Sequence, residues 1–129
     1  MPRPNRMPLK ADAGISVGVG IDLLNLSRVK RLFRHPKKKS LKNLFTPSER
    51  KTLSGTQLAI RAARLLAAKE AFFKASSSVW MGPGGFKDIE VRCFPGSRFQ
   101  VKSLRTSSSG EGTFFEKDQL VGAQVIVWA

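Results

Sequence analysis

Residues 56–77 contain neither glycine nor proline and are rich in Ala, Leu, Arg and Lys. These residue types favour the helical state, so the stretch predicts one long helix from about Thr56 to Ser77. Ala67, Ala71 and Ala75 recur every four residues and therefore form one row along that helix. Such a row lets another backbone come close, so the rest of the fold is expected to pack on this helix.

Two elements are predicted near the start of the chain. Residues 15–21 interleave β-branched residues with glycine, which indicates a short strand with close backbone neighbours. Asp22 is expected at its end, where the strand gives way to a helix. Asn25 or Ser27 can cap that helix, which is predicted to reach about Arg34.

A second helix start follows a basic loop over residues 37–39. Thr46 fits the N-cap, Pro47 the first helical position, and Glu49 completes a capping box. Residues 54–55, Ser-Gly, are expected to end this helix after a few residues.

The last third of the chain predicts strands and turns. A turn is expected at 82–85 and a flexible Ser/Gly-rich loop at 106–112. Strands are predicted at 86–93, 98–104 and 120–128. The order of strand, helices and consecutive strands indicates an α+β fold, with an antiparallel sheet packed on the long helix.

The composition limits the class of protein. Its 129 residues suit a single domain, predicted over 15–129 after a flexible basic extension at 1–14. One cysteine excludes an intrachain disulfide, and neither a signal peptide nor a membrane-spanning apolar run is recognisable, so a soluble cytoplasmic protein is expected. The net charge of +14 requires an anionic partner: a nucleic acid, an acidic protein, a phosphorylated ligand or a membrane surface.

Two carboxylates are candidates for chemistry. Asp22 alone is typical of a turn or cap residue. Glu70 alone is typical of a surface pair with Lys74 four residues later. However, Phe72 and Phe73 leave little of this helical turn for solvent, so Glu70 is expected near the sheet. A carboxylate there needs a cation, either Lys74 or a divalent metal ion.

Several segments resemble the holo-acyl-carrier-protein synthase family. The three signature blocks of that family are similar to GVGIDLLNLSRV (18–29), LFTPSERKTL (44–53) and AAKEAFFKA (67–75). Residues 86–91 and 122–126 resemble two of its later strands, and the likeness extends over about 15–129.

The resemblance implies a 4'-phosphopantetheinyl transferase fold and a Mg2+-dependent enzyme. Such an enzyme moves the 4'-phosphopantetheine arm of coenzyme A onto a serine of apo acyl carrier protein and releases adenosine 3',5'-bisphosphate. It further implies a homotrimer with its active site between subunits. The carrier proteins are acidic, which suits a basic chain.

The resemblance also implies site residues. Asp22 and Glu70 are expected to hold Mg2+, which prefers one or two carboxylates plus substrate phosphates. Lys74 is expected near the phosphates as a coenzyme A-binding and catalytic residue, and Lys69 to face either coenzyme A or solvent. Glu70 or a metal-bound water is the candidate base.

A basic surface is expected on the first helix. There, Arg28, Arg31 and Arg34 are expected to dock the carrier protein, the alternative being a solvated charge run.

The chain departs from the family at three places. Glu116 occupies about the position of a family histidine, and an acid there repels pyrophosphate unless it is protonated or turned away. Leu65 stands at the register of a family arginine, with Arg64 one residue earlier. Residues 76–80 precede Gly82, whereas the family has glycine sooner.

Two other functions stay open. A degenerate family member would bind coenzyme A or a carrier protein without turnover. A small nucleic-acid-binding protein would use the basic segment 28–39 along phosphates. The absence of tyrosine, and of an aromatic pair on a strand, argues against nucleic acid.

Overall fold

A computed structural model describes residues 17–34, 38–76 and 85–128. The predicted extension at 1–14, Pro36, and the first part of the turn at 82–85 lie outside the described residues. The helices are α1 Leu26–Arg34, α2 Lys38–Leu44, α3 Pro47–Arg50 and α4 Leu58–Ala75, and a 3-10 segment covers Gly85–Asp88. The strands are β1 Val17–Asn25, β2 Ile89–Phe94, β3 Arg98–Ser103, β4 Ser109–Lys117 and β5 Leu120–Trp128.

Within the described residues the strands form one antiparallel sheet in the order β1-β5-β4-β3-β2. One face of this sheet carries the core, and α4 packs across it against β1 and β5. The predicted α+β architecture, with an antiparallel sheet on the long helix, is therefore confirmed. No helix in the described part of the chain has the length and apolar character needed to cross a membrane.

The local capping predictions hold. The Asn25 side chain accepts a hydrogen bond from the Ser27 backbone N–H at 2.9 Å, so Asn25 caps α1. Thr46 caps α3 within a complete capping box, with Pro47 in the first turn. The predicted end of α3 at residues 54–55 is wrong, because the helix ends at Arg50 with Lys51 as its C-cap. Gly55 adopts a φ of 80° in the turn before α4, a conformation that favours glycine.

The structure corrects two boundaries near the start of the chain. β1 does not end at Asp22, because Leu23, Leu24 and Asn25 continue the ladder with β5. Asp22 therefore projects from within a strand, opposite Ala123. Residues 38–39 belong to α2 and not to a basic loop.

The largest correction is β4, of which residues 109–112 were predicted as loop. Gly110 and Gly112 are required there by close contacts and not by flexibility. A Cβ on Gly112 would lie 2.1 Å from the Gln124 carbonyl oxygen and 2.5 Å from the Phe99 ring. The glycine-rich segment is thus an inner strand of the sheet.

Candidate active site

Glycines on β1 bring the strand against α4. Gly18, Gly20 and Asp22 lie on the same face of β1, because every second residue of a strand points the same way. This face is toward α4. A Cβ on Gly20 would lie 2.0 Å from the Ala71 carbonyl oxygen, and one on Gly18 would lie 2.1 Å from that of Ala75. The alanine row therefore receives a backbone, as predicted, and Asp22 lies beside the last turns of α4.

Asp22 forms an ion pair with α4. The Lys74 Nζ donates a hydrogen bond to its Oδ1 at 2.5 Å. The hydrogen bond and the negative charge of Asp22 both raise the pKa of Lys74. The Asp22 side chain is only 11% exposed and that of Lys74 55% exposed. The carboxylate is thus held by the fold, whereas the ammonium is exposed at the surface.

Glu70 lies close enough to Asp22 to be affected by its charge. Burial raises the pKa of Glu70 and the negative charge of Asp22 raises it further, while the positive charge of Lys74 opposes both. The structure therefore brings together three of the predicted site residues. The two acids repel each other, and Lys74 is the cation that the structure shows beside them.

This donor set fits Mg2+. Among the described residues there is no group of three or more His, Cys, Asp or Glu that could hold a metal ion. Two carboxylates are sufficient for Mg2+, which keeps several water ligands and takes others from substrate phosphates. A partly buried Glu70 beside a like charge also gains from a divalent cation between them.

The structure corrects the prediction for Lys69, because its side chain is enclosed by the protein and does not face solvent. Its side chain is 0% exposed, and its Nζ donates to Glu49, at 2.6 Å, and to two backbone carbonyl oxygens. All three N–H groups of the ammonium are thus used inside the protein, and none is left for a ligand. The sequence offered no signal for this contact beyond the capping box that contains Glu49.

Phe73 also differs from the prediction, because it is 52% exposed whereas Phe72 is buried. The turn that carries Glu70 and Lys74 is therefore open to solvent on one side. An open side gives a substrate access to these two residues.

Glu116 and Arg64, at two of the positions where the chain differs from the family, contact each other in the fold. Arg64 of α4 donates a hydrogen bond from Nε to Oε2 of Glu116 on β4. Leu65 is buried in the core. Glu116 is therefore neither turned away nor left as a free charge, because a cation from the long helix neutralises it.

The arginines predicted for docking lie on α1. Arg28, Arg31 and Arg34 are all exposed, as is Lys30. With no acidic residue in its first turn, α1 presents a positive surface.

The comparisons with solved structures agree with this architecture. The fold is similar to holo-[acyl-carrier-protein] synthase from Neisseria meningitidis, with a TM-score of 0.69 and 21% identity, covering 85% of this chain and 96% of that one. It is also similar to a complex of the synthase with coenzyme A from Chronobacterium ammoniagenes, with a TM-score of 0.67 and 21% identity, covering 87% and 96%.

Sequence comparison identifies the family. A holo-[acyl-carrier-protein] synthase of Bacillus cereus (strain AH187) is 39% identical over 79 residues, which are 59% of this chain. The match spans 66% of that relative's length. The model of the 4'-phosphopantetheinyl transferase superfamily matches residues 18–127, which include both carboxylates and all four helices. The chain therefore belongs to the 4'-phosphopantetheinyl transferase superfamily.

Proposed function

We propose that this protein is a Mg2+-dependent holo-[acyl-carrier-protein] synthase. It would transfer the 4'-phosphopantetheine moiety of coenzyme A to a serine of an apo acyl carrier protein. The serine oxygen would form a bond to the β-phosphorus of coenzyme A while the bond from that phosphorus to the bridging oxygen breaks. Adenosine 3',5'-bisphosphate would leave, and the serine would lose its proton.

The observation that carries this proposal is the convergence of Asp22 and Glu70. A strand and a helix, far apart in sequence, meet through glycine and alanine so that two carboxylates and one lysine share a surface site. The relatives named for this activity and the family match support the same reaction. A nucleic-acid-binding function would leave the burial of Glu70 beside Asp22 without a purpose.

Asp22 and Glu70 would hold the cation. Mg2+ bound there would neutralise charge on the pyrophosphate, and such phosphoryl transfers depend mainly on positioning and charge neutralisation. Lys74 would leave Asp22 and turn to the phosphates, since its long side chain is exposed. Glu70 or a metal-bound water is a candidate to accept the serine proton.

The carrier protein would dock on α1. Acyl carrier protein is acidic, so the exposed Arg28, Arg31 and Arg34 offer complementary charge. This contact would affect the KM for the carrier more than that for coenzyme A.

The outer face of the sheet supports assembly into a homotrimer. On that face β1 exposes Val17, Val19, Ile21 and Leu23, each between 53% and 73% exposed. On the adjacent strand β5, Ile126 and Trp128 are also exposed. A continuous apolar surface of this kind is typical of an interface.

A mass measurement tests the proposed activity. Apo acyl carrier protein is incubated with coenzyme A, Mg2+ and the protein, and then weighed intact. The account predicts a phosphopantetheine increment that Asp22→Asn and Glu70→Gln each abolish. Asp88→Asn, which removes a carboxylate from the 3-10 segment, is the matched control and should keep activity. An increment that survives both site substitutions would overturn the proposed site.

Binding assays separate the other functions. Coenzyme A binding without any increment would favour a degenerate family member. Tight, salt-sensitive RNA binding with neither would favour the nucleic-acid protein.

A further inference from the structure

Directly before Glu70 in α4, the chain buries an ion pair between Lys69 and Glu49. Their side chains are 0% and 2% exposed, and the Lys69 Nζ lies 2.6 Å from Oε1 of Glu49. The proposed metal site does not include this pair. Burial lowers the pKa of Lys69, and the charge of Glu49 opposes that effect.

The remaining bonds of Lys69 reach other segments. Its Nζ donates to the carbonyl oxygen of Leu44 at 2.8 Å and to that of Phe86 at 2.8 Å. The end of α2 and the 3-10 segment are therefore both fastened to one side chain of α4.

Glu49 extends the connection to the sheet. Its Oε1 also accepts the Thr46 backbone N–H at 2.9 Å, and its Oε2 accepts the Val91 backbone N–H at 2.8 Å. The pair thus joins α2, α3, the 3-10 segment and β2 at one position of α4. Each polar atom of the two charged groups has a partner inside the fold.

Stability alone explains such a pair poorly. Replacing a buried ion pair by apolar residues of similar volume is often neutral or stabilising, so its value lies elsewhere. The contact between α4 and β1 is built from Gly18, Gly20 and small alanines. Interlocking side chains normally fix how a helix is rotated and where it lies along its partner, and small residues provide little of that.

We propose that Lys69 and Glu49 are positioning residues for the carboxylate site. By fastening α4 at one point, the pair fixes the rotation of the helix so that Glu70, about 100° further round, faces Asp22. This inference rests on the proposed function, in which Glu70 and Asp22 share a cation.

The double variant Glu49→Gln/Lys69→Met tests it, because removing both charges leaves no unpaired charge buried. Mg2+ affinity is measured by calorimetry in the presence of coenzyme A. We expect it to weaken by about tenfold or more, as is usual when groups that orient metal ligands are removed. The KM for the carrier protein should stay unchanged.

Val127→Ala is the matched control, since it truncates a buried side chain of β5, a strand that none of the hydrogen bonds of the pair reaches. It should lower the melting temperature and leave Mg2+ affinity unaltered. If the double variant binds Mg2+ as the wild type does, the positioning role is overturned. If the double variant does not fold, Glu49→Asp, which keeps both charges but shortens the reach of the carboxylate, replaces it with the same expectation.

Failure of the proposed function gives a different result. In that event, the wild type would either bind no Mg2+ or bind it at a site that Asp22→Asn does not affect. Crystal structures of the wild type and the double variant then decide the positioning claim. It requires a displaced Glu70 carboxylate in the variant, and an unchanged one would refute it.

Discussion

At the scale of single residues, the proposed site makes Lys74 a competitor of Mg2+ for the Asp22 carboxylate. The Lys74 ammonium already neutralises Asp22 when no cation is bound. Lys74 should therefore weaken the binding of Mg2+ while it assists catalysis. Neither effect follows from the sequence, where Glu70 was the nearer partner of Lys74 by helical spacing.

Lys74→Met should thus strengthen the binding of Mg2+ in the absence of coenzyme A and lower kcat. An ion pair as exposed as this one contributes little, so the gain in affinity should be less than about fivefold. Calorimetry with Mg2+ alone and single-turnover transfer kinetics measure the two effects. Weaker binding of Mg2+ in this variant would show that Lys74 does not compete with it.

Arg64 and Glu116 allow a second prediction at this scale. Glu116 on β4 lies opposite Val121 on β5, and Val121 lies opposite Leu24 on β1. Leu24 follows Asp22 by two residues and is on the same face of β1. By strand spacing Glu116 lies roughly 12 Å from Asp22, so an unpaired charge there would act only weakly on an anionic substrate.

Arg64→Met should accordingly raise the KM for coenzyme A by about threefold at low salt and hardly at all at high salt. Adding Glu116→Gln to this variant should restore the KM, because the unpaired charge is then gone. A KM that stays raised in the double variant would mean that Arg64 acts on coenzyme A directly.

At the scale of secondary-structure elements, the site depends on the contact between β1 and α4. Much of this contact could be predicted: the glycines of β1 and the alanine row of α4 both indicated close backbone neighbours. What the sequence did not reveal is which backbones meet, because contacts between distant segments depend on the assembled sheet. The same reason explains β4, whose glycines resembled a loop until Phe99 and β5 were placed against them.

Gly20→Ala tests the contact directly. A Cβ 2.0 Å from the Ala71 carbonyl oxygen must push the strand from the helix. We expect a loss of about 1–3 kcal/mol in the free energy of unfolding, as overpacked sites usually show, together with weaker Mg2+ binding. Gly96→Ala is the matched control. Its φ of 80° disfavours alanine, so the backbone is strained, but no atom lies within 4 Å of the added Cβ and no packed contact is disturbed. Denaturant unfolding and calorimetry measure both, and equal loss of metal binding in the two variants would contradict this account.

At the scale of the whole molecule, the sheet has two different faces. The inner face and α4 form the core, and the outer face of β1 and β5 is apolar and exposed. On β1, alternation alone would select the wrong face, because Val17, Val19 and Ile21 are exposed and the glycines face α4. The proposed trimer rests on the family resemblance, since a single chain does not say what covers its outer face.

Ile21→Glu should therefore convert a trimer to monomers, because a charge would enter the middle of that apolar surface. Sedimentation velocity gives the mass, and transfer activity should fall with it if the site lies between subunits. Leu104→Glu, at an exposed apolar residue after β3, is the control and should remain assembled. A wild-type protein that sediments as a monomer would contradict the proposed trimer.

In the proposed site, oxygens of Asp22 and Glu70 bind one divalent cation. Crystals grown with coenzyme A and Mn2+ in place of Mg2+ test it through the anomalous signal of manganese. We expect a single peak within bonding distance of one oxygen from each carboxylate. A peak at any other place, or one that touches only one of these acids, would contradict it.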